Sequence, residues 1–214
     1  MMELVVAEPN LRDLKKRQTR QAIMDAALRL FAERGFERVT VVQIARAANV
    51  SEATVFNYFP VKEDLVFSRM ETFEQRLMEA VQHRQPGQSP LAAFRACLLA
   101  AGGLLGHLDT GSVAAVRTLA GIIGGSPVLL ARERQIYHEA TDALSRIIAQ
   151  QTSATDHDIE PWVTANALIG VHRALVSYAR IQLLAGTSTS TLRRSIRTRA
   201  DRALALLEHG LGDP

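Results

Sequence analysis

Residues 39–65 limit the possible fold of this chain more than any other segment, because their pattern is typical of two short helices joined by a tight turn (VTVVQIARAANVSEATVFNYFPVKEDL). Thr40 is a favourable N-cap for the first helix, and Gln43, three positions later, completes a capping box. Asn49 suits the left-handed or turn conformation in which that helix must stop. The segment therefore predicts a helix, a sharp turn and a second helix.

The second helix of this pair has two distinct sides. Ser51 is placed to cap it, and Val55 and Phe59 lie four residues apart, which directs both inward. The other side carries polar and aromatic residues. Two short helices with such an outward face form a helix-turn-helix, which inserts its second helix into the DNA major groove.

This part of the chain resembles the TetR family of transcriptional regulators over residues 17–66. The resemblance rests on the preceding helix (RQTRQAIMDAALRLFAERGF), the helix-turn-helix, and the YF-x-x-KEDL segment that opens the next helix. Val61 departs from the family, which often has Ser, Thr or Asn there as a cap. Helix 4 must therefore start on backbone geometry or on Glu63 and Asp64, whose charges favour a helix N-terminus.

The resemblance implies which side chains read DNA. Base edges are expected to meet Glu52, Ala53, Phe56 and Asn57, of which Asn57 can pair with adenine. Phosphates are expected to meet hydroxyls and ammonium groups near helix starts: Thr40, Ser51, Thr54, Tyr58, Lys62 and Lys16. Simpler roles stay open: Glu52 as a helix-end charge, Thr40 and Ser51 as caps only, Tyr58 as a core aromatic, and Lys16 as part of a solvated helix end.

Composition limits the alternatives. Apolar residues make up 47% and charged residues 22%, which is typical of a packed globular protein. Cys97 is the only cysteine, so neither an intramolecular disulfide nor a cysteine-based zinc site can form, and a reducing cytoplasmic setting fits. We expect no signal peptide, membrane span, metal or cofactor. Residues 12–62 hold ten Lys or Arg against five acids, whereas the whole chain is only +3, too little for non-specific chromosome packaging.

Helical periodicity without strand-like alternation predicts an all-α fold. We expect a flexible arm (1–14), a three-helix DNA-binding domain (15–61) and a larger helical ligand-binding and dimerisation domain (62–214), with helix 4 (about 62–83) linking the two. After the QPGQSP turn cluster, helices are predicted at 91–108, 111–123, 127–151, 158–185 and 190–209. The last two are long and apolar; they form either the domain core alone or also a homodimer interface.

A sensor pocket is inferred for the larger domain because polar residues occur within its apolar helical runs. A mainly apolar cavity of about 300 Å³ or more is expected. Its lining would come from some of Phe94, Leu98, Leu105, Ile122, Tyr137, Trp162, Ile169 and Val176, with one or more of Arg117, Asn166, His172 and Arg173 pointing inward to orient the ligand. In the alternative, these polar groups pair among themselves or lie at the surface. A further resemblance, to mycofactocin-regulator-like members, implies a hydrophobic or amphipathic ligand of acyl-CoA type.

Catalytic motifs are absent from the sequence: it has no G-x-S-x-G, no H-E-x-x-H and no glycine-rich phosphate loop. His157 between Asp156 and Asp158 is expected to be a loop and cap cluster rather than a metal site. We therefore predict a homodimeric, non-enzymatic repressor that leaves a palindromic operator when a small molecule binds. The alternatives are an all-helical enzyme with dispersed catalytic residues and a TetR-type activator.

Overall fold

The computed structural model describes residues 10–100, 113–152, 154–155 and 157–210. These residues form helices only: α1 (Leu11–Arg34), α2 (Val41–Ala47), α3 (Glu52–Tyr58), α4 (Asp64–Gln82), α5 (Pro90–Leu99), α6 (Val113–Gly124), α7 (Pro127–Thr152), α8 (Glu160–Leu184) and α9 (Thr189–His209). The chain divides into two compact units, one through Val66 and one from Phe67 onward. The all-α prediction is confirmed.

Helix α1 starts earlier than the sequence suggested. The predicted flexible arm extends to residue 14, but α1 begins at Leu11, so residues 11–14 are helical. Asn10 makes this start possible, because its side-chain oxygen accepts a hydrogen bond from the backbone N–H of Arg12 (3.3 Å). Residues 1–9, the rest of the predicted arm, lie outside the described part of the chain.

Helix α4 starts later than predicted, at Asp64 instead of Lys62. The backbone N–H groups of Asp64, Leu65 and Val66 bond to carbonyls three residues earlier, so the entry is a tight turn. The Asp64 carboxylate accepts a hydrogen bond from the Val61 N–H (3.3 Å). With no side-chain cap at Val61, backbone geometry and an acidic residue begin the helix, as the sequence predicted.

The first unit packs α1, α2 and α3 around an apolar centre. The predicted inward stripe of α1 is buried, as are the inward residues of the two short helices: Ile23, Ala27, Leu30, Phe31, Ile44, Val55 and Phe59. Gly35 ends α1 at φ 81°, and the ring of Phe36 packs back against Phe31 with centroids 5.0 Å apart.

The second unit has α7 and α8 packed along each other over most of their length. They run antiparallel, because Glu133 pairs with Arg180 near one end and Tyr137 contacts His172 further along. Helices α4, α5 and α9 complete its core. No helix of the described ranges is both long and apolar enough to cross a membrane.

Candidate nucleic-acid interface and sensor pocket

The turn between α2 and α3 is a Schellman motif. The N–H of Val50 bonds to the carbonyl of Ala45 (3.0 Å), and the N–H of Asn49 bonds to that of Arg46 (3.2 Å). Asn49 occupies the left-handed position at φ 55°, where glycine is usual and asparagine is tolerated. The predicted left-handed turn is confirmed, and it fixes the angle at which α3 leaves α2.

The start of α2 has the predicted capping box. The Thr40 hydroxyl oxygen accepts from the Gln43 N–H (3.3 Å), and the Gln43 side-chain oxygen accepts from the Thr40 N–H (3.0 Å). Because the hydroxyl acts here as an acceptor, its own proton is available to a phosphate oxygen. Thr40 is exposed, so capping and phosphate contact are compatible.

Ser51 caps α3 in a similar way. Its hydroxyl oxygen accepts from the Thr54 N–H (3.1 Å) and lies 2.8 Å from the Thr54 hydroxyl. One of the two hydroxyl protons lies in the bond between these side chains, and the other can be donated outward. The helix N-terminus thus presents a donor and a positive dipole end on the same surface.

Helix α3 is oriented by two buried anchors, Val55 and Phe59, which are 1% and 2% exposed. Its opposite side leaves the four predicted base-reading residues exposed: Glu52, Ala53, Phe56 and Asn57. Phe56 is 47% exposed although its ring is large and apolar. An exposed aromatic ring beside an exposed amide can contact a thymine methyl and an adenine edge. Tyr58 and Thr54, both predicted phosphate contacts, are half-buried at the edges of this surface.

Lys62 has internal partners that the sequence analysis did not foresee. Its ammonium group donates to the carbonyl oxygens of Phe36 (3.0 Å) and Val39 (3.2 Å), and it lies 4.0 Å from the centre of the Phe36 ring. An ammonium group has three N–H donors, so two are used within the protein. Lys62 therefore holds the segment before α4 against the loop that precedes α2.

Arg20 makes a second contact that sequence spacing could not reveal. Its guanidinium lies 4.8 Å from the centre of the Phe59 ring, so α1 and the end of α3 are held together. The remaining arginines and lysines of the first unit are exposed: Arg12, Lys15, Lys16, Arg17, Arg29, Arg34, Arg38 and Arg46. These charges give the unit the cationic surface that a phosphate backbone attracts.

The predicted pocket residues of the second unit have diverse positions. Phe94, Leu98, Tyr137, Ile169 and His172 are buried in its core, and Ile122 and Val176 are half-buried. Arg117 and Trp162 are exposed, so neither lies in the core of this unit. Leu105 lies outside the described residues. The sequence could not separate these cases because apolar helical runs face both the core and the exterior.

Tyr137 and His172 are buried next to each other, and both carry polar atoms. His172 is 1% exposed, and its ring lies against Phe73 (5.3 Å between centroids) and Tyr137 (5.8 Å). Burial lowers the pKa of His172 to about 4, so its imidazole is neutral. Among the described residues, neither of its ring nitrogens nor the Tyr137 hydroxyl has a hydrogen-bond partner. Burial, followed by the charge of Glu133, raises the pKa of Tyr137, so the phenol keeps its proton.

A cleft of about 220 Å³ opens between α7 and α8 and is partly open to solvent. It is lined by Arg134, Tyr137, His138, Thr141, Asn166, Ile169, Gly170 and Arg173. Four of these residues were predicted for the pocket, but the cleft is smaller than the expected 300 Å³, and Arg173, like Arg117, is exposed. These features do not support an enclosed sensor cavity of the form predicted.

The loop before α8 has an ordinary structural role. The Asp158 carboxylate accepts from the backbone N–H of Thr155 (2.7 Å) and from its hydroxyl (3.0 Å). These two bonds lower the pKa of Asp158. Within the described residues no group of three or more His, Cys, Asp or Glu side chains is placed to bind a metal. Asp156, part of the His157 cluster, lies outside those residues.

Comparisons with known proteins agree with this geometry. Residues 23–68 match the family described as "Bacterial regulatory proteins, tetR family". The regulator TcmR of Streptomyces glaucescens is 31% identical over 159 residues, covering 72% of this chain and 69% of its own. MftR of Mycobacterium tuberculosis, named for mycofactocin biosynthesis, is 27% identical over 77% of this chain and 80% of its own. SmeT, the multidrug efflux pump repressor of Stenotrophomonas maltophilia, shares the fold at a TM-score of 0.53, with 19% identity over 87% of this chain and 88% of its own.

Proposed function

The chain belongs to the TetR family of transcriptional regulators and is a DNA-binding regulator; we propose that it is a dimeric repressor released from a palindromic operator by a small molecule. The observation that carries this proposal is the exposed side of α3. A helix anchored by Val55 and Phe59 leaves Glu52, Phe56 and Asn57 free to enter a major groove.

In this proposal the DNA contacts divide by chemistry. Asn57 and Phe56 read base edges with Ala53, while Thr40, the Ser51–Thr54 hydroxyl pair, Tyr58 and Lys16 contact phosphates. Glu52 accepts from a cytosine amino group, a role supported by its exposure at the start of α3. Lys62 donates one N–H to a phosphate, while its other two N–H groups donate to the carbonyl oxygens of Phe36 and Val39.

Homodimerisation through the last two helices is proposed from an apolar stripe on α8. The stripe consists of exposed or half-exposed residues at helical spacing, with small residues in the middle: Val163, Ala167, Gly170, Ala174, Ser177, Ile181 and Leu184. Small side chains let a second helix approach closely, and the larger ones at both ends can pack around it. Leu206 of α9 is likewise 54% exposed, so the last helix also presents a large apolar side chain to the exterior.

Release of the operator requires a ligand that binds one conformation of the dimer better than the other. Helix α4 is suited to transmit this difference, because it begins in the first unit and continues into the second as one helix. The cytoplasm, which holds bacterial DNA, is the proposed place of action. A ligand of acyl-CoA type, which the resemblance to mycofactocin-regulator-like members implies, is part of this proposal, and the likeness to MftR, a putative regulator of mycofactocin biosynthesis, supports that kinship.

Selection of binding sites from a random duplex library tests this proposal. We expect the full-length protein to enrich a pseudo-palindrome whose half-sites are separated by about one helical turn or slightly more. Enrichment of single half-sites would contradict the dimer, and enrichment of no sequence at all would contradict specific DNA reading.

A further inference from the structure

Two arginines face the cleft between α7 and α8 without an acidic partner among the described residues. Arg134 comes from α7 and Arg173 from α8, and both line the cleft. Two other arginines of these helices are paired with acids: Arg180 with Glu133, and Arg132 with Glu139 at 3.8 Å. Two unpaired guanidinium groups converging on a single cleft are a characteristic arrangement for binding an anion.

The floor of the cleft places the apolar side chain of Ile169 beside a buried hydroxyl group that has no partner among the described residues. Ile169 and Tyr137 are 3% and 5% exposed, and both line the cleft. Among the described residues the Tyr137 hydroxyl has no hydrogen-bond partner, and a buried polar group left unpaired is destabilising. Its phenol keeps the proton and is therefore a donor without an acceptor in this part of the chain.

Gly170 lines the cleft. A Cβ atom at this position would meet nothing within 4 Å, so there is open space beside the helix at this point. The cleft of about 220 Å³ has room for several water molecules but not for a drug-sized ligand.

We propose that this cleft binds a small amphipathic anion, with a carboxylate or phosphate group between Arg134 and Arg173 and a compact apolar body against Ile169 and Tyr137. That this anion acts as the effector rests on the proposed function. The cleft shares Gly170 with the apolar stripe of α8, so an anion bound there would lie beside the second subunit and could change how the two subunits pack.

Calorimetric titration of the full-length protein tests the site with benzoate, its neutral analogue benzamide, and inorganic phosphate. We expect benzoate to bind at least tenfold more tightly than benzamide, since only benzoate has the charge that the arginines recognise. Arg134→Gln and Arg173→Gln should each weaken benzoate binding about tenfold. Arg197→Gln, which removes an exposed arginine from α9, is the matched control and should leave binding unchanged.

Each outcome decides the proposal. Stronger binding of phosphate than of benzoate supports the site and assigns it to phosphate-bearing molecules. Equal binding of benzoate and benzamide, unchanged binding in both cleft variants, or no heat from either anion at about 10 mM overturns it. Operator release is measured separately by fluorescence anisotropy. If benzoate binds but the operator is retained, the cleft is supported and its effector role is rejected.

Discussion

The ammonium nitrogen of Lys62 lies 4.0 Å from the centre of the Phe36 ring and 3.0 Å from the carbonyl oxygen of the same residue. These two residues are 26 positions apart in the sequence. Together with the bond to Val39, this contact holds the segment before α4 against the loop that precedes the helix-turn-helix. Lys62 therefore stabilises the reading head, whether or not it also contacts DNA.

The first prediction concerns this double role of Lys62. Lys62→Met keeps the aliphatic stem but removes the charged donor from two carbonyls, so it should lower the free energy of unfolding by about 2 kcal/mol. If Lys62 also contacts a phosphate, the slope of log affinity against log salt becomes shallower by about 0.9. Urea unfolding and salt titrations measure the two effects. Lys16→Met, at an exposed position, should leave the free energy of unfolding unchanged. If Lys62→Met also unfolds with the free energy of the unmodified protein, the structural role of Lys62 is refuted.

The second prediction separates base reading from helix capping in α3. Asn57→Ala changes an exposed side chain, so we expect stability to hold while discrimination at one base pair of each half-site falls by about 1–3 kcal/mol. Ser51→Ala removes the cap, which should cost about 1 kcal/mol of stability. It should also weaken binding to every sequence. Binding arrays with single-base operator variants distinguish the two patterns, and a uniform loss for Asn57→Ala would exclude it from base reading.

The third prediction follows from the buried imidazole of His172, whose pKa is about 4 instead of its ordinary 6.5. Between about pH 6.5 and about pH 4 the imidazole of the unfolded chain binds a proton and that of the folded chain does not. The free energy of unfolding therefore falls as the pH drops through this range. The loss contributed by His172 should reach about 3 kcal/mol. His172→Phe keeps a ring beside Phe73 and Tyr137 and should remove this part of the pH dependence. Unfolding curves at several pH values test it, and identical pH profiles for both proteins would disprove it.

The fourth prediction concerns the apolar stripe of α8. Ile181→Arg places a charge at a position that is 63% exposed in the monomer, so folding should tolerate it. A dimer interface of about 2,000 Å² that includes this stripe should not tolerate a buried charge without a partner. We expect sedimentation to show monomers and operator binding to be lost. Val128→Arg, at a residue 47% exposed outside the stripe, is the control. If the Ile181→Arg protein remains dimeric, the dimer interface does not include the apolar stripe of α8.

The sequence by itself determined the helix-turn-helix, because its signals are local. Thr40 with Gln43, Ser51 with Thr54, and the left-handed Asn49 each act within six residues of chain, and the structure has all of them. The inward anchors Val55 and Phe59 follow from helical periodicity alone. The fold class followed from helical periodicity along the chain, and the family from the resemblance carried by residues 17–66.

Only the tertiary structure decided which distant side chains meet. The contacts of Lys62 with Phe36 and of Arg20 with Phe59 join residues that no spacing rule relates. In the second unit, apolar periodicity runs around much of α8, so the sequence could not tell that His172 is buried while Trp162 is exposed. Which face of a long apolar helix is covered depends on the helices packed beside it. The buried face of α8 is therefore set by how α7 and α9 pack against it, and the sequence of α8 taken alone does not specify it.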